Sequence, residues 1–208
     1  QSSQYMGCEL RDKVLGVVGL GGIGKAVIEL LKGFGMKKTL VYDPFIDENK
    51  AKELNVNKVE LDELMQQSDF ITVHCPLNEH TRDLISYREL DLMKTSSFII
   101  NTARGGIINE DALFNVLSKK LIAGAALDCF NNEPIVKPHR FGELENVMLA
   151  PHSIAWTQEL FRDMGKICSK NMIDISNGIR PYGVVNPEVF DRPSFQKKWD
   201  NLIVNKIK

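Results

Sequence analysis

The chain has 208 residues, of which 43% are hydrophobic, and its 26 basic and 27 acidic residues give a net charge of −1. The hydrophobic content is sufficient for a buried core, and the balanced charge gives no electrostatic reason to expect nucleic acid or an anionic membrane as a partner. No apolar run approaches the roughly 20 residues of a membrane span, and residues 1–13 lack the apolar stretch of a secretory signal. Four scattered cysteines without a CxxC motif favour a reducing, cytoplasmic location and indicate no metal site.

Short apolar runs alternate with helical segments from residue 14 to about residue 150. Six runs are predicted strands: VLGVVG (14–19), TLVYD (39–43), FITVH (70–74), SFIIN (97–101), AGAALD (123–128) and NVMLA (146–150). The runs are apolar throughout and are separated by helices, so they indicate a parallel sheet covered by helices on both faces. The predicted fold class is therefore α/β, with a doubly wound sheet of Rossmann type.

The predicted helices have recognisable faces and ends. The first, residues 23–35, places Ile23, Val27, Leu30, Leu31 and Phe34 on one face. Asn109 is a predicted N-cap for a helix whose apolar face contains Leu113, Val116 and Leu117. A long amphipathic helix is predicted over residues 156–178, with Leu160, Met164, Ile167 and Met172 near one stripe and Gly178 at its end. The segment 179–208 contains several prolines and predicts no domain of its own.

A glycine-rich turn joins the first strand to the first helix. It contains Gly19-x-Gly21-x-x-Gly24, whose glycines allow a tight turn and close approach to a pyrophosphate at the helix N-terminus. Asp43 ends the second strand, close to the roughly 20-residue spacing expected for the acid that binds the adenosine ribose. A carboxylate there would repel a 2′-phosphate, so NAD is favoured over NADP, although Asp43 could instead initiate the turn before Pro44.

Polar residues also follow the later strands. Arg104 follows the fourth strand, Asp128 and Glu133 follow the fifth, and His152 follows the sixth. Ligands bind at the carboxyl ends of strands in open parallel sheets, so Arg104, Glu133 and His152 are expected to converge. An arginine suits a carboxylate or a polarised carbonyl, and a histidine paired with a glutamate suits proton transfer near neutral pH. Of the other histidines, His74 is a structural residue or a pocket wall, and His80 and His139 are predicted to be solvated.

Five motifs, GLGGIGKA, HCPLNEHT, NTARGGIIN, GAALDCFNNEP and APHSIAW, occur in this order. Together they resemble the cofactor domain of the D-isomer-specific 2-hydroxyacid dehydrogenases, a family that includes phosphoglycerate and D-lactate dehydrogenases and glyoxylate/hydroxypyruvate reductases. The resemblance covers most of residues 9–157. It implies an NAD-dependent oxidoreductase that interconverts a small D-2-hydroxy acid and its 2-oxo acid by hydride transfer, and it implies a homodimer.

The same resemblance implies a role for each site residue. Arg104 resembles the arginine that holds the substrate's carboxylate and keto oxygen, His152 the acid–base, and Glu133 the carboxylate paired with that histidine. Asp43 resembles the ribose acid, and Asp128 the acid that receives the carboxamide nitrogen. The cofactor-binding positions that it implies are Gly19, Gly21, Gly22, Ile23, Gly24, Asp43, Cys75, Pro76, Thr102, Ala103, Arg104, Asp128, His152, Ser153 and Ala155.

Complete members of this family have a second domain that closes over the substrate. Here residues 1–13 are predicted to be a stub of that domain and residues 14–155 the Rossmann domain. Residues 156–178 are predicted to form a helix packed on the Rossmann domain, and residues 179–208 a tail toward the largely absent substrate domain. Closure excludes water and supplies substrate contacts, so we expect the chain alone to bind NAD(H) but to have little or no turnover.

Two other functions compete with a dehydrogenase. The C-terminal-binding-protein corepressors resemble the family and act as NAD(H)-sensing modules that bind protein partners, but no basic or groove-forming segment favours that role. A methyltransferase would explain the glycine loop but neither Arg104 nor the pairing of Glu133 with His152. The particular hydroxy acid is not predicted, because the residues that would contact its side chain lie mainly in the missing domain.

Overall fold

The structure, a computed structural model, describes residues 7–204, with side chains through residue 201. The chain divides into two compact units between Ile154 and Ala155. Residues 1–6 of the predicted stub and residues 205–208 of the predicted tail lie outside the described part. In that part, no helix combines the length and the apolar character needed to cross a membrane.

The first unit is built on one parallel sheet. Its strands are β1 (Val14–Val18), β2 (Lys38–Tyr42), β3 (Asn57–Lys58), β4 (Phe70–Val73), β5 (Phe98–Asn101), β6 (Gly124–Leu127) and β7 (Val147–Leu149). Their order in space is β3-β2-β1-β4-β5-β6-β7, and each neighbouring pair is parallel. The chain winds outward from β1 in both directions, so the predicted doubly wound α/β fold is confirmed. The boundary between β1 and β4 is the switch point at which such sheets bind ligands.

Five α-helices connect these strands: α1 (Gly22–Leu31), α2 (Glu48–Glu53), α3 (Leu61–Gln67), α4 (Tyr87–Asp91) and α5 (Glu110–Ser118). Short 3₁₀ helices follow at Lys32–Phe34 and Arg140–Glu143. Asn109 caps α5 as predicted, because its Oδ1 accepts a hydrogen bond from Ala112 N at 3.0 Å. The predicted apolar face of α5 is also confirmed, since Leu113, Val116 and Leu117 are all buried.

All six predicted strands occur within one or two residues of their expected bounds, but β3 was missed. It has only two residues, and Asn57 is exposed, so it carries no apolar pattern that the sequence could show. Its presence follows from backbone pairing with Leu40 and Val41 of β2. The hydrogen bonds of an edge strand can thus form without the side-chain periodicity on which strand prediction depends.

The sheet has a core on each face. One core packs α3, α4 and α5 against Val14, Val18, Ile71 and Ile99, among other strand residues. The other packs α1 and α2 against Leu15, Val17 and Val41. On this second face, none of the helices described in the first unit (residues 7–154) lies over β4–β7, and an apolar groove of about 470 Å³ is left there. Within this unit, the predicted helices cover the first face of the sheet. On the second face they cover only the half formed by β1–β3.

The predicted apolar face of the first helix is wrong at Ile23, Leu30 and Phe34, which are exposed, whereas Leu31 packs against the second core. Ile23 and Leu30 are 65% and 76% exposed, whereas Gly24 and Ile28 are buried. A Cβ atom at Gly24 would lie 2.4 Å from the carbonyl oxygen of Gly19, so the helix approaches the loop most closely at this residue. That approach orients Gly24 inward, and the residue four positions later, Ile28, follows it on the same face.

The second unit contains α6 (Gln158–Ser176), a 3₁₀ helix at Pro187–Asp191 and α7 (Pro193–Val204). The long predicted helix is confirmed as α6, and Gly178 follows it with a left-handed φ of 72°. The segment 179–208, for which no domain was predicted, contains this 3₁₀ helix and α7, and Phe190 is buried with its ring 5.2 Å from Phe195 and 5.3 Å from Trp199. The predicted packing of the long helix on the Rossmann domain stays a prediction.

Candidate active site

The glycine loop after β1 has the geometry of an anion-binding turn. Gly19 has a φ of 95°, and a Cβ there would lie 2.6 Å from the backbone nitrogen of Cys75. No side chain caps the start of α1, so its first-turn amides are available to an anion. At Gly21 and Gly22, a Cβ would meet no atom of the described residues within 4 Å. The exposed Ile23 follows in the first turn, and the loop leaves room where the pyrophosphate is predicted.

Asp43 lies at the end of β2, directly beside this loop. Its Oδ2 accepts from Leu20 N at 2.7 Å, and its Oδ1 accepts from Phe45 N at 2.8 Å. The carboxylate is therefore held by backbone amides in a fixed orientation. Asp43 both shapes the turn and lines a cavity, so the two interpretations left open by the sequence are compatible.

That cavity has a volume of about 320 Å³ and extends from the glycine loop past the end of β4. Cys75 and Pro76 line it as predicted, and His74, His80 and Thr81 line it as well. Burial raises the pKa of the Cys75 thiol to about 11, so this side chain presents a neutral surface. Burial also lowers the pKa of His74, whose Nε2 lies 2.9 Å from Thr72 Oγ1. The wall is mainly apolar and uncharged, which suits a flat heterocycle beside the Asp43 carboxylate.

The loop after β5 presents Arg104 to solvent. Asn101, a buried residue at the end of the strand, accepts from Ala103 N at 3.0 Å and donates from Nδ2 to the Arg104 carbonyl at 2.9 Å. The Arg104 guanidinium donates to the Ala103 carbonyl at 2.6 Å and remains exposed. Thr102 is also exposed. Asn101 was not singled out in the sequence, although a buried amide at a strand end signals a loop that needs internal hydrogen bonds.

Glu133 and His152 meet at the adjacent strand ends. His152 Nδ1 lies 2.6 Å from Glu133 Oε2, and the His152 and Glu133 side chains are 42% and 31% exposed. His152 has a φ of 56°, a left-handed conformation that is uncommon outside glycine. The predicted pairing of these two residues is therefore present in the geometry.

The charge of Glu133 is stabilised by its surroundings. Burial alone would raise the pKa of Glu133, but hydrogen bonds from His152 and from Phe130 N–H outweigh it, and the net effect lowers the pKa. The positive charge of Arg104 acts in the same direction. Glu133 is therefore ionised at neutral pH and can orient the imidazole ring and stabilise its protonated form.

Asp128 anchors the segment that carries His152. It is buried, and its Oδ1 accepts from Ser153 N at 2.9 Å, with Ile154 N 3.3 Å from its Oδ2. The sequence predicted only a contact with a nicotinamide carboxamide. A carboxylate has about four acceptor positions, so backbone anchoring and ligand binding do not exclude one another. Ala155 lies beyond the boundary of the first unit.

His139 is not solvated as predicted. Its ring lies between Phe130 and Phe141, with ring centroids 4.9 Å and 5.1 Å away, and its side chain is only 22% exposed. The sequence did not predict this packing, because His139 lies in a polar stretch of the chain. Within residues 7–204, no group of three or more His, Cys, Asp and Glu side chains is placed to hold a metal ion.

Comparison with known proteins identifies the family. Residues 1–153 match the family described as D-isomer specific 2-hydroxyacid dehydrogenase, NAD binding domain. The chain belongs to this family. As an NAD-binding domain of this family, the chain takes NAD as its cofactor, and the loop, the Asp43 carboxylate and the apolar cavity fit that ligand.

Relatives and solved structures agree with this assignment. The chain is 39% identical to a glyoxylate reductase from Korarchaeum cryptofilum over 92% of this chain and 58% of the relative. It is 34% identical to a D-3-phosphoglycerate dehydrogenase from Archaeoglobus fulgidus over 94% of this chain and 37% of the relative. An NAD-complexed D-isomer specific 2-hydroxyacid dehydrogenase from Lactobacillus delbrueckii ssp. bulgaricus superposes with a TM-score of 0.78 at 29% identity, covering 88% of this chain and 59% of that one. The chain thus spans between about a third and three fifths of the length of these proteins.

Proposed function

We propose that the protein containing this chain is an NAD-dependent oxidoreductase that interconverts a small D-2-hydroxy acid and its 2-oxo acid. The observation that carries the proposal is the 2.6 Å contact between His152 Nδ1 and Glu133 Oε2 at the carboxyl ends of the sheet. A histidine held in this way is equipped for acid–base chemistry on a carbonyl or hydroxyl group.

Each site residue has a distinct role in carbonyl reduction. Bound NADH supplies the hydride. The imidazolium form of His152 provides the proton for the carbonyl oxygen from Nε2, because Nδ1 is engaged by Glu133. Glu133 stabilises that imidazolium and keeps the ring oriented. The exposed guanidinium of Arg104 suits bidentate binding of the substrate carboxylate. In the oxidation direction, neutral His152 accepts the hydroxyl proton.

The cofactor half of the site supports NAD over NADP. Asp43 lines the cavity beside the glycine loop with its carboxylate held by backbone amides, and this supports a role as the acceptor of hydrogen bonds from the adenosine ribose hydroxyls. A 2′-phosphate would meet this charge at short range. We therefore propose that NADH binds more tightly than NADPH.

The decisive experiment measures NADH consumption by the full-length gene product with a panel of 2-oxo acids, including glyoxylate, hydroxypyruvate and pyruvate. Replacing Arg104 or His152 with alanine is expected to lower kcat/KM by about a hundredfold or more, because each acts on the reacting group. Arg162→Ala, which removes an exposed arginine paired with Asp163 on α6, is the matched control and should leave the rate unchanged. If both site variants stay within a few-fold of wild type, the roles are misassigned.

The alternative of an NAD(H)-sensing corepressor module is not supported, since the relatives named above are a reductase and dehydrogenases. We retain the proposals that turnover by the 208-residue chain alone is weak or absent and that residues 14–155 form the Rossmann domain. Rapid reduction of any 2-oxo acid by the purified chain would contradict the first of these.

We also propose a cytoplasmic homodimer without a nucleic-acid or membrane partner. The cytoplasmic assignment draws support from the four cysteines, all of which are free. The resemblance to the family supports the dimer. Light scattering on the purified full-length protein would test it, and a mass of one subunit across micromolar concentrations would overturn it.

A further inference from the structure

The turn that carries Glu133 is held by a second carboxylate. Asn131 N–H donates to Glu110 Oε1 at 2.6 Å, and the preceding amide, Phe130 N–H, donates to Glu133 Oε1 at 2.8 Å. The other oxygen of Glu133 contacts His152. Two successive amides of one turn therefore bind two different carboxylates. Of these two carboxylates, it is Glu133 that contacts His152.

Glu110 is itself rigidly placed. It is the first residue of α5, so the N-terminal end of the helix dipole stabilises its charge. Its side chain is 16% exposed, and its Oε2 lies 3.6 Å from Nε2 of His139. The His139 ring is fixed in turn between Phe130 and Phe141. The carboxylate of Glu110 thus joins the helix to the turn from a partly buried position.

The turn is also fixed by close backbone packing. A Cβ atom at Gly105 would lie 2.0 Å from the carbonyl carbon and oxygen of Phe130. The peptide that joins Phe130 and Asn131 therefore packs against the loop that carries Arg104, and the Asn131 N–H is held in addition by Glu110. The position of Glu133 depends on both contacts, and Glu110 supplies the side-chain hydrogen bond.

We propose that Glu110 is a positioning residue that holds the Phe130–Glu133 turn, so that Glu133 stays within hydrogen-bond reach of His152 and fixes its tautomer. When Glu133 accepts a hydrogen bond from Nδ1–H, the neutral ring keeps its one proton on Nδ1 and has none on Nε2, the nitrogen assigned above to substrate chemistry. A displaced turn would release the ring to the Nε2–H tautomer that free imidazole side chains favour. The consequence for catalysis rests on the proposed function, but the effect of Glu110 on the position of Glu133 is a property of this chain alone.

The test measures the ¹⁵N chemical shifts of the two ring nitrogens of His152 by NMR in the ¹⁵N-histidine-labelled chain, at the alkaline end of a pH series in which those shifts no longer change. Glu110→Asp keeps the charge at the helix N-terminus but shortens the side chain by one methylene, so it should lose the Asn131 contact. We expect at least half of the Nδ1–H population to be lost in this variant. Glu110→Gln retains an acceptor oxygen and should keep the wild-type tautomer.

Asp111→Ala is the matched control, because Asp111 lies in the same helical turn but is exposed and pairs with Arg140. It should leave the tautomer of His152 unchanged. A Glu110→Asp variant with a lower Tm but a wild-type tautomer would overturn the proposal, since Glu110 would then only stabilise the fold. Equal tautomer loss in Glu110→Gln would overturn it as well. Because no substrate is involved, failure of oxo-acid reduction by the full-length protein would refute the proposed function without affecting this result.

Discussion

Replacing Gly105 with alanine should displace the backbone of the turn that carries Glu133 and lower the stability of the chain. The added Cβ would lie 2.0 Å from Phe130, about 1.4 Å short of the 3.4 Å at which ordinary contacts begin. The atoms it meets are backbone atoms of a buried residue, so no side-chain rotation relieves the contact. Overpacking of this kind costs about 1–3 kcal/mol or more. In a domain of this size, each kcal/mol lowers Tm by about 2–4 °C.

Urea and thermal unfolding of the chain would measure this loss, and the His152 tautomer would report displacement of the Glu133 turn. Gly33→Ala is the matched control, because a Cβ at Gly33 meets nothing within 4 Å among the described residues and its φ is not positive. It should be neutral or slightly stabilising. If Gly105→Ala unfolds within about 0.5 kcal/mol of wild type, the two loops are not in the close contact described above.

Three further predictions concern the cofactor, acid stability and α1. Asp43→Asn should narrow the preference for NADH over NADPH by about tenfold in binding titrations, because the repelling charge is removed while an acceptor oxygen stays; an unchanged ratio would contradict the assignment. Since the pKa of Glu133 is lowered, its contribution to stability is present above its ordinary pKa of 4.5 and is lost as pH falls through the lower folded value. The stability difference between wild type and Glu133→Gln should therefore shrink between pH 6 and pH 3, and a constant difference would argue against the ionised pair. Ile28→Ala should lower the free energy of unfolding by about 2–4 kcal/mol in urea, whereas Ile23→Ala should lower it by less than about 0.5 kcal/mol. Equal losses would mean that Ile23 is buried as the sequence predicted.

Much of the fold could be predicted because its determinants are local. The apolar runs of β1, β2 and β4–β7 and the Asn109 cap depend on residues that are close in sequence. The buried face of α1 could not be predicted in this way, because it is set by contact between Gly24 and the carbonyl of Gly19. Apolar periodicity favoured Ile23 and Leu30, but close packing at a glycine decided the orientation of the helix.

The candidate site shows the same limit. Arg104, Glu133 and His152 could be found because each follows a strand of a parallel sheet. The contact made by Glu110 could not be found in this way, since its partner Asn131 is 21 residues away and no periodic pattern links them. His139 lies in a polar stretch, and only the folded chain brings two aromatic rings against it. Contacts of this kind depend on tertiary packing, which a single sequence does not reveal.

The left-handed backbone at His152 also limits how this position can evolve. For most residues this conformation costs about 1–2 kcal/mol, whereas glycine and asparagine adopt it readily. A lineage that gives up proton transfer would therefore replace His152 most easily with asparagine or glycine, and β-branched residues would be disfavoured even where no chemistry is required. Asparagine is for the same reason the replacement that best separates loss of the imidazole from strain in the main chain.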